Sequence, residues 1–184
     1  MIRFFDVIIS LMGLLIIWPI LLFIGLLCFL DTGSPIFVQV RLGRNQVPFN
    51  LLKFRTMRVG TADMATHLVE KSAITRVGYL LRRTRMDELL QLWNVLKGDM
   101  SLVGPRPCLS NQFELVSERE RLGIFKVRPG VTGLAQISGI DMSNPQKLVA
   151  LEVDMMLHMS MVNYFKYILL TLLGVLGVKN NKEK

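Results

Sequence analysis

Residues 16–23 read IIWPILLF and sit near the middle of an apolar run from Val7 to Leu30. How that octapeptide is read decides the fold. As one helix the run would be about 36 Å long at roughly 1.5 Å per residue, enough to cross a hydrocarbon core of about 30 Å. Pro19 interrupts it. Proline has no N–H, and its ring presses on the carbonyl one turn earlier, here that of Leu15. In lipid the freed groups must find partners within the protein. Two readings fit: a span kinked at Pro19, or a re-entrant pair of short helices bent at Trp18–Pro19 that leaves on the side it entered.

The rest of the chain follows from that choice. A length of 184 residues allows one modest domain beside the membrane element, and the formal net charge of +8 favours an anionic partner. Nucleic acid would leave the apolar run unexplained, so anionic inner-leaflet lipids and phosphorylated substrates are the expected partners, with no nucleic acid. Cys28 and Cys108 lie too far apart in sequence to suggest a zinc site or a disulfide framework. A cleaved signal peptide is not indicated, because the run exceeds an h-region and no small-x-small pattern follows it.

After Leu30 the composition changes sharply. Residues 31–35, DTGSP, are a loop signal; PIFVQVRLG (35–43) and FNLLKFRTM (49–57) read as the two strands of a small hairpin. Arg41, Arg44, Lys53, Arg55 and Arg58 follow the apolar run closely, which puts this side in the cytoplasm by the positive-inside rule. Helix is expected over 61–83, with a loop near 60–75. It is expected again over TRMDELLQLWNVLKG (84–98), with Thr84 as cap, Gly98 as stop, and Met86, Leu89, Leu90, Trp93 and Leu96 or Lys97 tracing one face. SLVGPRP (101–107) is too rich in Gly and Pro for a helix. Residues 111–123 form a charged helix, 127–139 a turn-rich stretch with short strands, and 146–178 helix again. Its apolar end, YFKYILLTLLGVLG, reads as an amphipathic helix lying on the bilayer. The expected division is 1–30 membrane helix, 31–160 cytoplasmic domain and 161–184 interfacial amphipathic helix and tail.

Four short stretches could carry chemistry. Asp87–Glu88 opens a helix, where acidic residues also serve simply to favour the dipole. Neighbouring helical residues point about 100° apart, so the two can flank one site in different roles, one attacking phosphorus and one holding a divalent metal. In GPRP (104–107) two prolines fix the backbone around Arg106, whose guanidinium suits phosphate oxygens; a rigid surface loop is the plainer alternative. Lys53 and Arg55 are two apart and share one face of a strand, and Arg82, Arg83 and Arg85 precede the acidic pair. Arg128 stands before a Pro-Gly turn. His67 and His158 have no partners in sequence and receive no role.

Each signal is modest alone; their order is informative. FRTM, MDELLQLWNVLKGDMSLVGPRP and VRPGVTGLAQISG, behind a Pro-broken apolar N-terminus, resemble the small monotopic phosphoglycosyl transferases among the bacterial sugar transferases, from Arg3 to about Val178. The resemblance implies an α+β, mostly α-helical monotopic membrane enzyme with a re-entrant N-terminal helix, in the bacterial inner membrane with its catalytic domain on the cytoplasmic face. It implies transfer of a sugar phosphate from a UDP-sugar to polyprenol phosphate, with release of UMP. Asp87 would be the nucleophile, forming a covalent phosphosugar adduct, and Glu88 the ligand of Mg²⁺. Lys53, Arg82, Arg106 and Arg128 would contact phosphates. Two departures stand out. Trp18 occupies the place before the proline where the family often has serine, and Glu152, Met155, Ser160 and Tyr164 replace a D-x-x-Y…S-x-x-x-D pattern. A direct transferase without an adduct, and a non-catalytic lipid-binding module, are the rival functions. A homodimer is compatible with the sequence.

Overall fold

The computed structural model describes residues 1–61 and 73–175, and the part of the expected 61–83 helix that covers 62–72 lies outside them. The described chain is mostly helical with two small sheets. In order it runs α1 (Ile2–Thr32), β1 (Ile36–Leu42), β2 (Pro48–Phe54), α2 (Arg76–Arg83), α3 (Gln91–Lys97), β3 (Ser101–Val103), α4 (Phe113–Arg121), β4 (Gly130–Thr132), α5 (Leu134–Ile137), α6 (Pro145–Leu157) and α7 (Met161–Val175).

Helix α1 continues through Pro19 as one element. A single missing N–H removes one bond of the ladder, which is a place for a kink rather than a terminus. The helix ends at Gly33, whose left-handed φ of 72° lets its N–H reach the Phe29 carbonyl at 2.8 Å. It is the one described helix long and apolar enough to cross a membrane.

Both ends of α1 are fastened to the rest of the protein. Near the start, Arg3 donates to the Val95 and Leu96 carbonyls at 2.6 and 3.0 Å, satisfying the open C-terminal end of α3. One turn on, the buried Asp6 carboxylate accepts from the Ser101 hydroxyl, the Leu102 amide and the Tyr164 hydroxyl, all at about 3 Å. Near the far end, Ile24 and Cys28 pack with Phe54 of β2 and Leu81 of α2. Between these attachments Leu15, Ile16, Trp18, Leu22, Phe23 and Leu26 are exposed.

Strands β1 and β2 form the expected antiparallel hairpin, with Phe37 opposite Lys53 and Arg41 opposite Phe49. Alternation puts Gln39 and Arg41 inside and Ile36, Val38 and Val40 outside. The helix expected over 84–98 is broken. Thr84 ends α2 instead of capping a new helix, Arg85 takes a left-handed φ of 56°, and Met86–Glu88 make a single 3₁₀ turn before α3. The buried face also differs: Asp87, Gln91, Asn94 and Val95 point inward, while Met86 and Trp93 are exposed. Gly98 does stop α3, at φ 99°. The turn-rich stretches hold β3 and β4, which pair in parallel through Ser101–Gly130 and Val103–Thr132.

The core gathers Leu51, Val95, Met100, Met155 and Tyr164 at its centre. Helix α7 buries Tyr164 and Tyr167 there and exposes Val162, Phe165, Leu169 and Leu172. Both of its faces are therefore apolar, one against protein and one outward, rather than apolar against polar as expected for a surface helix.

Helix α2 crosses the end of β2 at Gly78 with no room for a side chain. A Cβ there would sit 2.0 Å from the Thr56 carbonyl oxygen. Gly78→Ala is expected to push α2 off the hairpin, costing about 1–3 kcal/mol and lowering both the melting temperature in detergent and any activity that depends on Arg82. Gly174→Ala, which meets nothing within 4 Å, is the comparison and should melt like the native chain.

Candidate active site

The left-handed turn at Arg85 sets the site. It separates α2 from α3 and places Asp87 and Glu88 on a tight turn between them, against β2. Lys53, next to last in β2, reaches Glu88 Oε1 at 3.2 Å, and Arg106 of the GPRP loop reaches the same oxygen at 3.0 Å. Arg82, in the last turn of α2, donates Nε to Thr56 Oγ1 at 2.8 Å and faces the same cavity. That cavity, about 250 Å³, is lined by Lys53, Arg55, Arg58, Arg82, Arg85 and Arg106, by both carboxylates, and on its apolar side by Phe37, Phe54 and Met57. The chain thus brings together five of the expected residues from three separate stretches.

The two adjacent carboxyls are shifted in opposite directions. Burial and the neighbouring Glu88 charge push Asp87 up to about 6, against the pull of Lys53 and Arg82. Burial also acts on Glu88, but Lys53 and Arg106 outweigh it and hold its carboxyl down at about 2. Burial lowers Lys53, with Glu88 pulling it back, and it lowers Arg82 against the pull of Asp87. Glu88 is therefore the fixed anion of a cation pair, and Asp87 the more basic and less committed carboxylate.

Arg106 is positioned by groups the sequence did not mark. Backbone bonds from Gly104 N–H to Thr132 O and from Gly130 N–H to Pro105 O, both 2.8 Å, extend the β3–β4 pairing into the GPRP loop. This approach is so close that a Cβ on Gly130 would lie 2.0 Å from the Gly104 nitrogen. The Glu152 carboxylate lies beside the Arg106 backbone N–H, which favours its charged form against the rise from burial. Glu152 is in turn clasped by Arg119 through two bonds of 2.9 and 2.5 Å, and both side chains are buried. The acid of α6 that departs from the family pattern thus holds the backbone of a site arginine.

Arg128 goes elsewhere. Its Nε donates to the Gly98 carbonyl at 2.8 Å, closing the end of α3, and it lines a different cavity with Arg3, Asp6 and Lys126. Trp18 and Pro19 are exposed on α1 and line none of these cavities. The residues missed by sequence reasoning have identifiable signals. Phe37 and Lys53 are cross-strand partners, so hairpin register alone places Phe37 at the site. Asp6 is the single acid in the first 30 residues, and an ionisable group in an apolar run is a candidate for a specific partner.

A cation-lined cavity holding two unlike carboxylates suits an anionic ligand, and the same chain carries an exposed apolar helix of membrane-crossing length. The chain belongs to the bacterial sugar transferase family, whose profile matches residues 1–178. It is similar to a galactosyl transferase of Streptococcus agalactiae, 38% identical over 95% of this chain and 42% of that protein. It is also similar to a UDP-glucose:undecaprenyl-phosphate glucose-1-phosphate transferase of Caulobacter vibrioides, 36% identical over 97% of this chain and 70% of that protein. A third relative is an uncharacterized sugar transferase of Haemophilus influenzae, 37% identical over 74% of this chain. The chain spans less than half the length of the Haemophilus and Streptococcus relatives, 32% and 42%.

Proposed function

We propose that this chain transfers a sugar phosphate from a UDP-sugar to polyprenol phosphate and releases UMP, through a covalent adduct on Asp87. The observation that carries the reading is the pairing of unlike carboxylates under the Lys53, Arg82 and Arg106 cations. In the first step an Asp87 oxygen bonds to the sugar-bearing phosphorus, and the bond from that phosphorus to the bridging oxygen breaks, so UMP departs with the electron pair. In the second step a phosphate oxygen of polyprenol phosphate attacks the same phosphorus, and the Asp87 O–P bond breaks. The carboxylate returns unchanged. Lys53, Arg82 and Arg106 offset the charge on the transferring phosphoryl, the main task of a protein in such transfers.

Mg²⁺ fits the donor set. It is ordinarily held by one or two carboxylates together with substrate phosphates and water. Asp87 and Glu88 supply two such groups at the cavity, and both cation contacts of Glu88 fall on Oε1. Among the described residues no group of three or more His, Cys, Asp or Glu forms a protein-only cage. Glu88, with Asp87 beside it, would hold the ion, which supplies charge neutralisation on the phosphates when bound.

The same reading makes the protein monotopic, with α1 re-entrant and both of its ends on the cytoplasmic face of the inner membrane. Support comes from the two attachments of α1, Asp6 to β3 and α7 and Cys28 to β2 and α2, which tie both ends to one body. A cysteine inserted after Met1 should resist an impermeant thiol reagent added outside spheroplasts and react once the membrane is opened; the native Cys28 and Cys108 are both buried and give little background. Labelling from outside would make α1 a span. The reaction itself is tested by supplying UDP-sugars without polyprenol phosphate. UMP should appear at about one equivalent per protein, and the sugar phosphate label should stay on the chain. Turnover with no trapped label would instead favour direct transfer.

A further inference from the structure

Two cavities meet at Lys53, Glu88 and Arg106. The first is the Asp87 cavity described above. The second, about 270 Å³, shares those three residues and adds Arg41, Gln91, Asp141 and Met142, but not Asp87.

The two differ in charge. Beside the shared cations, the first is lined by Arg55, Arg58, Arg82 and Arg85. The second adds one arginine, and that one is occupied: Arg41 donates to the Gln39 side-chain oxygen and to the Pro107 carbonyl. It also adds a carboxylate, Asp141. A carboxylate repels phosphate but accepts hydrogen bonds from hydroxyls, and the buried Gln91 amide can both donate and accept. Met142, 8% exposed, offers an apolar wall to the carbon face of a ring.

The chemistry needs such a division. Attacking and leaving oxygens lie in line at phosphorus. Departing UMP and the entering lipid phosphate must therefore use one position opposite Asp87 in turn, while the sugar stays bound through both steps. Its place has to be off that line yet next to the cations that hold its phosphate. We propose that the second cavity is the sugar subsite, and that Asp141, Gln91 and Met142 decide which UDP-sugar is accepted. The assignment rests on the reading given under Proposed function.

The test compares native chain, Asp141→Asn and Gln91→Ala with UDP-glucose, UDP-galactose, UDP-N-acetylglucosamine and UDP-N-acetylgalactosamine, using undecaprenyl phosphate as acceptor and UMP as readout. Asn at 141 keeps an oxygen that can accept from Ser143 N–H and Oγ, which Asp141 meets at 2.9 and 2.5 Å. Each substitution should change the ratio of kcat/KM between the best and second-best sugar by about tenfold or more, while inhibition by UMP changes less than about twofold. Weaker UMP inhibition with unaltered sugar ratios would assign the cavity to the nucleotide and overturn the proposal. An equal loss on all four sugars with unaltered UMP inhibition would overturn it too. If the native chain releases no UMP from any of the four, the reaction class falls and the subsite with it; a native chain that turns over while both variants keep its sugar ratios removes the subsite alone. Should either variant fail to fold, as read by its melting temperature, the other decides.

Discussion

Asp87→Asn should remove turnover, with UMP release from the best UDP-sugar falling on the order of 10⁴-fold, the scale seen when a nucleophile or its immediate partner is lost elsewhere. The amide is nearly isosteric, so the turn at Arg85 and the Lys53–Glu88–Arg106 cluster are left in place. What goes is the proposed nucleophile. Burial and the Glu88 charge push the Asp87 carboxyl up to about 6. A carboxylate so raised is ionised at neutral pH but more basic than an ordinary aspartate, and so the better attacker of the two. Glu88, held at about 2 by Lys53 and Arg106, is a poor nucleophile by the same reasoning. The measurement is paired: steady-state UMP release, and retention of labelled sugar phosphate by the protein when acceptor is withheld. Both should vanish together. An Asp87→Asn protein that turns over normally would sink the adduct mechanism, and one that loses turnover but still traps label would move the nucleophile to another residue.

The second large effect is on stability. Asp6→Ala is expected to lower stability by about 3–5 kcal/mol, because the Ser101 hydroxyl, the Leu102 amide and the Tyr164 hydroxyl all lose their acceptor inside the core, at about 1–3 kcal/mol for each stranded group and with incomplete additivity. Asp6 and Tyr164 are 2% and 0% exposed, so water does not replace what is lost. For a chain of this size the loss corresponds to a drop of roughly 10 °C or more in melting temperature. Asp6→Asn, which keeps an acceptor oxygen, should fall between, and Tyr164→Phe should cost only about 1 kcal/mol, since it strands no donor. An Asp6→Ala protein that melts with the native chain would mean the three donors find other partners.

Part of this architecture is legible in the residues alone. The hairpin, the stop at Gly98 and the charged helix at 113–121 each carry a local signal: alternation, a glycine, a run of helix formers. The Asp87–Glu88 pair, Lys53, Arg82 and Arg106 stand apart in sequence, and the fold brings them into one cavity. What misled was apolarity. Met86 and Trp93 have the spacing of a buried face, yet they point outward while Gln91 and Asn94 point in. Asn94 is needed there, since its side chain accepts from the Leu52 amide and donates to the Asn50 carbonyl, tying α3 to β2. In a membrane-associated protein the outer surface can also be apolar, so hydrophobic periodicity no longer tells inside from outside. The same ambiguity hid the second apolar face of α7. Arg128 was marked by its neighbours in sequence, but the Pro-Gly turn aims it at the end of α3, a destination set by tertiary packing.

The bond from Tyr164 to Asp6 joins residues 158 apart in the chain. At about 5–20 residues per second, some 10–30 s separate synthesis of the two. For that interval the N-terminal helix has left the ribosome while its buried acid still lacks the partner that α7 brings. On the proposed membrane role, early arrival at the bilayer would give the apolar surface of α1 somewhere to wait until the last helix is made. The last helix then closes the structure. Truncations before Tyr164 should accumulate as membrane-bound, protease-sensitive chains, with the first helix in place and the catalytic body not yet locked around it.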